Sequence, residues 1–144
     1  MFTKILVPTD GSDLSDKAAR GAVDMARRLN ARIVAMTVIE PYPYTTLSEC
    51  RPEPAADYEQ RMEAIARERL RGIESDAKAA EVPVETTIAR SYLPFEAIID
   101  TARHKHCDGI FMASHGRRGL RAILLGSETQ KVLTHSDVPV VVYR

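Results

Sequence analysis

Cysteine is nearly absent: only Cys50 and Cys107 occur in 144 residues. Two thiols cannot form a disulfide framework, and their spacing fits no zinc pattern. A reducing compartment is therefore expected, with the cytoplasm as the default location. Long apolar runs are also missing. None approaches the roughly 20 residues that a membrane-spanning helix needs. The first residues, Met-Phe-Thr-Lys-Ile-Leu-Val-Pro, run straight into a strand pattern, so no signal peptide is expected. Charge of one sign is lacking too, with 20 Lys and Arg against 20 Asp and Glu. That balance gives no reason to expect nucleic acid or a membrane surface as a partner. The turn Thr9-Asp10-Gly11-Ser12-Asp13-Leu14-Ser15 lacks the paired glycines of an ATP pyrophosphatase loop. The chain also has no room for the substrate domain that adenylating enzymes carry. Nor are the acidic cluster and later lysine of a phosphoacceptor signalling domain in place.

What is present suits one domain over residues 1–144, long enough to bury a core without metals or disulfides. Lys4-Ile5-Leu6-Val7-Pro8 is a nearly continuous apolar run, as in a strand covered on both faces. Ser12 or Asp13 can cap the helix that follows, whose stripe is Ala18, Ala22, Met25, Ala26 and Leu29, with Asn30 as its stop. Residues 32–39 predict a second strand. Glu40 to Pro54, rich in proline, predicts a long loop near a functional edge. A long helix over residues 55–80 carries the stripe Met62, Ala66, Leu70, Ile73 and Ala77, and its interleaved Arg and Glu predict a solvated face. A third strand is expected over 82–89, with Val84, Thr86 and Ile88 in alternation, and Pro94 opens a third helix. A fourth strand over 109–113, a fourth helix over 128–135 and a fifth strand over 138–143 complete the pattern. Strictly alternating β and α elements predict an α/β fold with a doubly wound, five-stranded parallel sheet in the order 3-2-1-4-5. Its switch point lies between strands one and four, where open α/β sheets place ligands.

Ala113 to Thr129, between the fourth strand and fourth helix, contains three glycines, three arginines and two serines. Glycine admits close backbone approach, and a helix N-terminus with successive N–H groups favours an anion. A phosphate cradle is one reading, and an ordinary strand-to-helix loop is the other. The location of this stretch at the switch point favours the cradle.

The whole chain resembles the universal stress protein family, the UspA-type domain. Residues Ile5-Leu6-Val7-Pro8-Thr9-Asp10-Gly11-Ser12 resemble that family's opening strand and acidic turn, and Ser136-Asp137-Val138-Pro139-Val140-Val141-Val142 resembles its closing strand. ATP-binding members carry Gly, two residues, Gly, nine residues, then Gly-Ser or Gly-Thr. Gly116, nine residues, Gly126 and Ser127 match, while Ala113 stands where the first glycine would be. The resemblance implies ATP as ligand, with Mg²⁺ on its phosphates. It implies that Asp10 contacts the adenosine, that Pro8, Thr9 and Val38 line the adenine pocket, and that Gly116, Arg117, Gly126, Ser127 and Thr129 contact ribose and phosphate. A homodimer is also implied, and an exposed fifth strand at 138–143 offers an edge for it.

Each of these residues has a plainer role beside it. Asp10 can stabilise the turn alone, Ser127 can cap the fourth helix, and Arg117, Arg118 and Arg121 can be surface residues. Glu128 can compete with an anion or cap its helix. His115 lacks a carboxylate placed by sequence to orient it, which argues against catalysis. His104, His106 and Cys107 suit a polar helix end better than a metal site. The expected function is an adenine-nucleotide sensor with little or no hydrolysis, because no base and no metal carboxylates are positioned. The alternative is a dimeric interaction module that ignores nucleotide and recruits a protein partner.

Overall fold

The computed structural model describes residues 2–44, 53–116 and 125–144. The chain runs through β1 (Lys4–Pro8), α1 (Asp13–Leu29), β2 (Arg32–Ile39), α2 (Ala55–Ala79), β3 (Val84–Arg90), α3 (Pro94–His104), β4 (Gly109–Ala113), α4 (Ser127–His135) and β5 (Val140–Tyr143). All four strand pairs are parallel and the order is β3-β2-β1-β4-β5, as the alternation predicts.

The period-two geometry of the strands divides the core. Ile5, Val7, Ile33, Ala35, Phe111 and Ala113 face α1 and α2. Leu6, Val34, Met36, Ile110 and Met112 face α3 and α4. Central strands must be largely apolar on both faces, which is why β1, β2 and β4 read as nearly continuous apolar runs. The outer strands β3 and β5 are only partly buried.

The helices begin and end for local reasons. Ser12 caps α1, its Oγ accepting from the Ser15 N–H at 3.2 Å. Asn30 closes it in the left-handed region, φ 54°. Leu29, expected in the buried stripe, is 44% exposed. It lies in the terminal turn, and Ala19 and Val23 fill the sheet-facing side instead. Two strand starts differ from expectation. β3 begins at Val84 rather than 82, because Pro83 has no N–H to give and only its carbonyl joins β2, accepting from Ile33. Its expected alternation is blurred, since Thr86 is exposed beside a half-buried Thr87. β5 begins at Val140 rather than 138, because Ser136 Oγ brackets Val138 in a turn, donating to its carbonyl at 2.7 Å and accepting from its N–H at 3.2 Å. Among the described residues, no helix is long and apolar enough to cross a membrane.

Candidate functional site

β1 hydrogen-bonds to β2 on one side and to β4 on the other, so the switch point opens above its C-terminal end. Pro8 ends β1, half-buried, opposite Met36. Thr9 continues inward and is buried, its N–H donating to Met36 O at 2.8 Å. The turn after it is built from side chains. Gly11 N–H donates to Thr9 Oγ1 at 3.1 Å, and Ser12 N–H donates to Asp10 Oδ1 at 2.9 Å. Gly11 stands at φ +76°, where a side chain is strained, and an added Cβ would lie 2.9 Å from Arg69 Cγ. Asp10 therefore does stabilise the turn, through one oxygen. Its other oxygen, Oδ2, points at the opposite wall.

That wall is Ala113 to Gly116 with Gly126 behind it. A Cβ on Gly116 would collide with Asp10 Oδ2, so glycine is what lets the two loops close on one another. Gly126 N–H donates to Ser114 O at 2.7 Å, and an added Cβ there would lie 3.1 Å from His115 Cα. Thr129, buried in α4, donates its hydroxyl to Ala113 O at 3.0 Å. Ala113 is an ordinary strand residue, the last of β4. The non-glycine residues with positive φ are Asn30, Glu81 and His106 among the described residues, so the alanine asks for no conformation that it dislikes.

Ser127 is exposed as the first residue of α4, and the cap position is Gly126, with no side-chain cap. The expectation that Ser127 caps this helix is thus corrected: it lies one residue too far along. Gly126 N–H is engaged by Ser114, which leaves Ser127 and Glu128 as the first N–H groups that helix geometry gives no internal acceptor. Glu128 does not cap its own helix. It reaches across to α3, where its Oε2 accepts from the Phe95 N–H at 2.9 Å, while Lys131 pairs with its other oxygen at 3.3 Å. Pro94 brings no N–H to that helix start, and Glu128 satisfies the next donor. Val38 is half-buried in β2 and packs on the α3 and α4 side. Arg117, Arg118, Arg121 and Cys50 lie outside the described residues.

The remaining titratable candidates are scattered. His115 Nδ1 lies 3.2 Å from Ser114 Oγ. His104 Nδ1 lies 2.7 Å from the Asp100 carbonyl, and His106 is exposed. Cys107 is buried near the opposite end of β4, and that burial pushes its thiol up to about 11, against the pull of Lys4. Among the described residues, no group of three or more His, Cys, Asp or Glu side chains could hold a metal ion. A groove of about 670 Å³ runs between α1 and α2 and, among the described residues, meets the switch point at Gly11 and Arg69.

Two residues at this site escape a reading of the sequence. Thr37 is buried completely inside the apolar run of β2, and its hydroxyl donates to Thr9 O at 2.7 Å. Arg69 sits among the Arg and Glu of α2, whose neighbours do pair outward, Arg67 with Glu63 and Arg71 with Glu68. Arg69 instead turns inward and donates to Thr37 Oγ1 at 3.3 Å. Its spacing carried the signal: it stands three residues after Ala66 and four before Ile73, on the buried stripe.

The sequence profile of the universal stress protein family matches residues 1–144. The universal stress protein YxiE of Bacillus subtilis is 36% identical over 150 aligned residues, covering 100% of both chains. The solved structure of the universal stress protein UspA from Lactobacillus plantarum matches with a TM-score of 0.83 at 28% identity, over 99% of this chain and 97% of its own. Two more remote structures share the fold. One is a universal stress protein in complex with cAMP, at 24% identity and TM-score 0.71, covering 99% of this chain and 97% of its own. The other, from Archaeoglobus fulgidus, is in complex with dAMP, at 18% identity and TM-score 0.72, covering 99% of this chain and 98% of its own. The chain belongs to the universal stress protein family.

Proposed function

We propose that residues 1–144 form one adenine-nucleotide-binding domain, a cytoplasmic stress-response sensor that binds ATP in the switch-point crevice and hydrolyses it slowly or not at all. One observation carries this reading: Asp10 Oδ2 and Gly116 face each other so closely that any side chain at Gly116 would push the carboxylate from its place. An acidic acceptor beside bare backbone suits a nucleoside, whose ribose and base offer donors while its phosphates seek N–H groups. Pro8, Thr9 and Val38 wall the base. Asp10 accepts from the adenosine. Gly116 presents backbone and Ser127 its N–H and hydroxyl to ribose and phosphate, Gly126 keeps the approach open for want of a Cβ, and Arg117 supplies charge. Ala113 keeps the wall narrow, and Thr129 holds the Ala113 carbonyl. Mg²⁺ would ride on the phosphates rather than on a cluster of protein ligands. The related folds solved with cAMP and dAMP support an adenine nucleotide as the ligand class. Slow chemistry is in keeping with His115, whose near partner is the Ser114 hydroxyl rather than a carboxylate that would orient the ring.

A homodimer through β5 completes the proposal. The strand lies at the sheet edge with its four residues half-buried, and pairing two such edges about a two-fold axis would remove both.

The test is to purify the protein without added nucleotide, denature it, and separate the released small molecules by ion exchange with mass detection. Bound ATP or ADP approaching one per chain is expected. Protein that releases none, and gives no heat with millimolar Mg·ATP once stripped, overturns the sensor and leaves a nucleotide-independent dimeric module that recruits a protein partner.

A further inference from the structure

We infer that Arg69 is a positioning residue for the nucleotide crevice: reaching from α2 beneath the β1 turn, it fixes the Thr9-Asp10-Gly11 backbone and thereby the place of the Asp10 carboxylate. The turn half of this inference stands on geometry, and the binding half rests on the proposed role of Asp10.

The hydrogen bonds form a chain whose direction can be assigned. Thr37 Oγ1 has one proton and gives it to the Thr9 carbonyl at 2.7 Å, so toward Arg69 it is the acceptor, at 3.3 Å from Nη1. A charged donor on an acceptor hydroxyl polarises it and strengthens the bond that it donates onward. Ser15 Oγ gives its proton to Ser12 O at 2.9 Å, so Thr9 Oγ1 must donate to Ser15 Oγ at 3.0 Å while accepting from Gly11 N–H. Ser12 N–H then holds Asp10 Oδ1. The arm of Arg69 is as constrained as its head. Its Cγ and Nε would lie 2.9 and 3.3 Å from a Cβ on Gly11, and the Nε is buried. Without this prop, the buried Thr37 hydroxyl loses its charged partner, and the left-handed turn at Gly11 loses its floor.

The test compares Arg69→Met, which keeps an unbranched stem but no guanidinium, with Arg69→Lys, which keeps the charge, and Thr37→Val, which is isosteric without the hydroxyl. Amide hydrogen exchange is followed on the full nucleotide-free chain. Exchange at Gly11 and Ser12 should quicken roughly tenfold in R69M and T37V, with partial recovery in R69K, and the R69M/T37V double variant should be no faster than T37V alone. Affinity for Mg·ATP should fall roughly tenfold in the same two single variants, and R69M should add nothing once Asp10 is already Asn. Should R69M fail to fold, R69K and T37V carry the same comparison. A role in packing alone would lower the melting temperature and loosen α2 while leaving Gly11, Ser12 and the affinity unchanged, and that pattern overturns the inference. Wild-type protein that takes up no nucleotide refutes the functional reading of Asp10, and the exchange rates then decide alone whether Arg69 fixes the turn.

Discussion

The two walls of the crevice are made differently. After β1, side chains do the work: hydroxyls of Thr9, Ser12, Ser15 and Thr37, the Asp10 carboxylate and the Arg69 guanidinium hold a left-handed turn. After β4, backbone approach does it: Gly126 bonds Ser114 O, and Gly116 lies against Asp10 for want of a Cβ. A wall of side chains tolerates changes that preserve hydrogen-bonding capacity. A wall of bare backbone tolerates almost no added atom, whatever its chemistry. Substitutions of equal size should therefore act unequally on the two sides.

The largest effect is expected at Gly116. Gly116→Val places atoms on Asp10 Oδ2, and nucleotide affinity should fall by about 100-fold or more. Gly116 is exposed, so the melting temperature should scarcely move. Titration calorimetry beside a thermal melt separates the two quantities. Gly126→Ala comes next. Its Cβ would press on His115 Cα and Ser114 O, both backbone atoms that yield poorly, so about 1–2 kcal/mol of stability should be lost and affinity should weaken several-fold. Urea denaturation reads the first of these and calorimetry the second.

On the side-chain wall, Asp10→Asn keeps an acceptor for Ser12 N–H. Stability should change by no more than about 0.5 kcal/mol, while the lost charge weakens nucleotide binding roughly tenfold. An equal loss of stability and binding would mean that the carboxylate serves only the turn. Thr129→Val, nearly isosteric, removes one buried donor from Ala113 O and should cost about 1 kcal/mol with affinity unchanged within about twofold. A large affinity loss would show that the hydroxyl itself meets the ligand.

The smallest effect belongs to Cys107, away from the crevice. Its folded value of about 11 exceeds the ordinary 9.0 because burial disfavours the thiolate. A raised folded value contributes stability that is fully present below pH 9 and lost as pH climbs through 11. The stability difference between wild type and Cys107→Ala should shrink over that range while nucleotide affinity stays independent of the substitution.

These contrasts also explain what could be read in advance. Sheet order followed from the alternation of apolar runs, since a central parallel strand must be apolar on both faces. The switch point followed from that order, and with it the meeting of Asp10 and Gly116. Glycine is legible because its absent side chain has few other uses at such a position. Polar residues are harder, because each can serve several partners. Glu128 reads as a residue of its own helix, yet it caps α3, whose first turn is brought beside it only by packing. Arg69 reads as one more solvated arginine, although its place on the buried stripe of α2 distinguishes it. Thr37 hides in an apolar run because its hydroxyl is satisfied by Thr9, far away in sequence. The limits of β3 and β5 were set by Pro83 and Ser136, single residues that outweigh the β-propensity of their neighbours.

The most direct measurement is calorimetric titration of nucleotide-stripped wild-type protein and of folded Gly116→Val with Mg·ATP. The crevice account predicts saturable binding by the wild type, near one nucleotide per chain, and none by the variant over the same concentrations. Equal affinity in both would contradict it, since a ligand indifferent to that collision does not depend on where Asp10 and Gly116 hold each other.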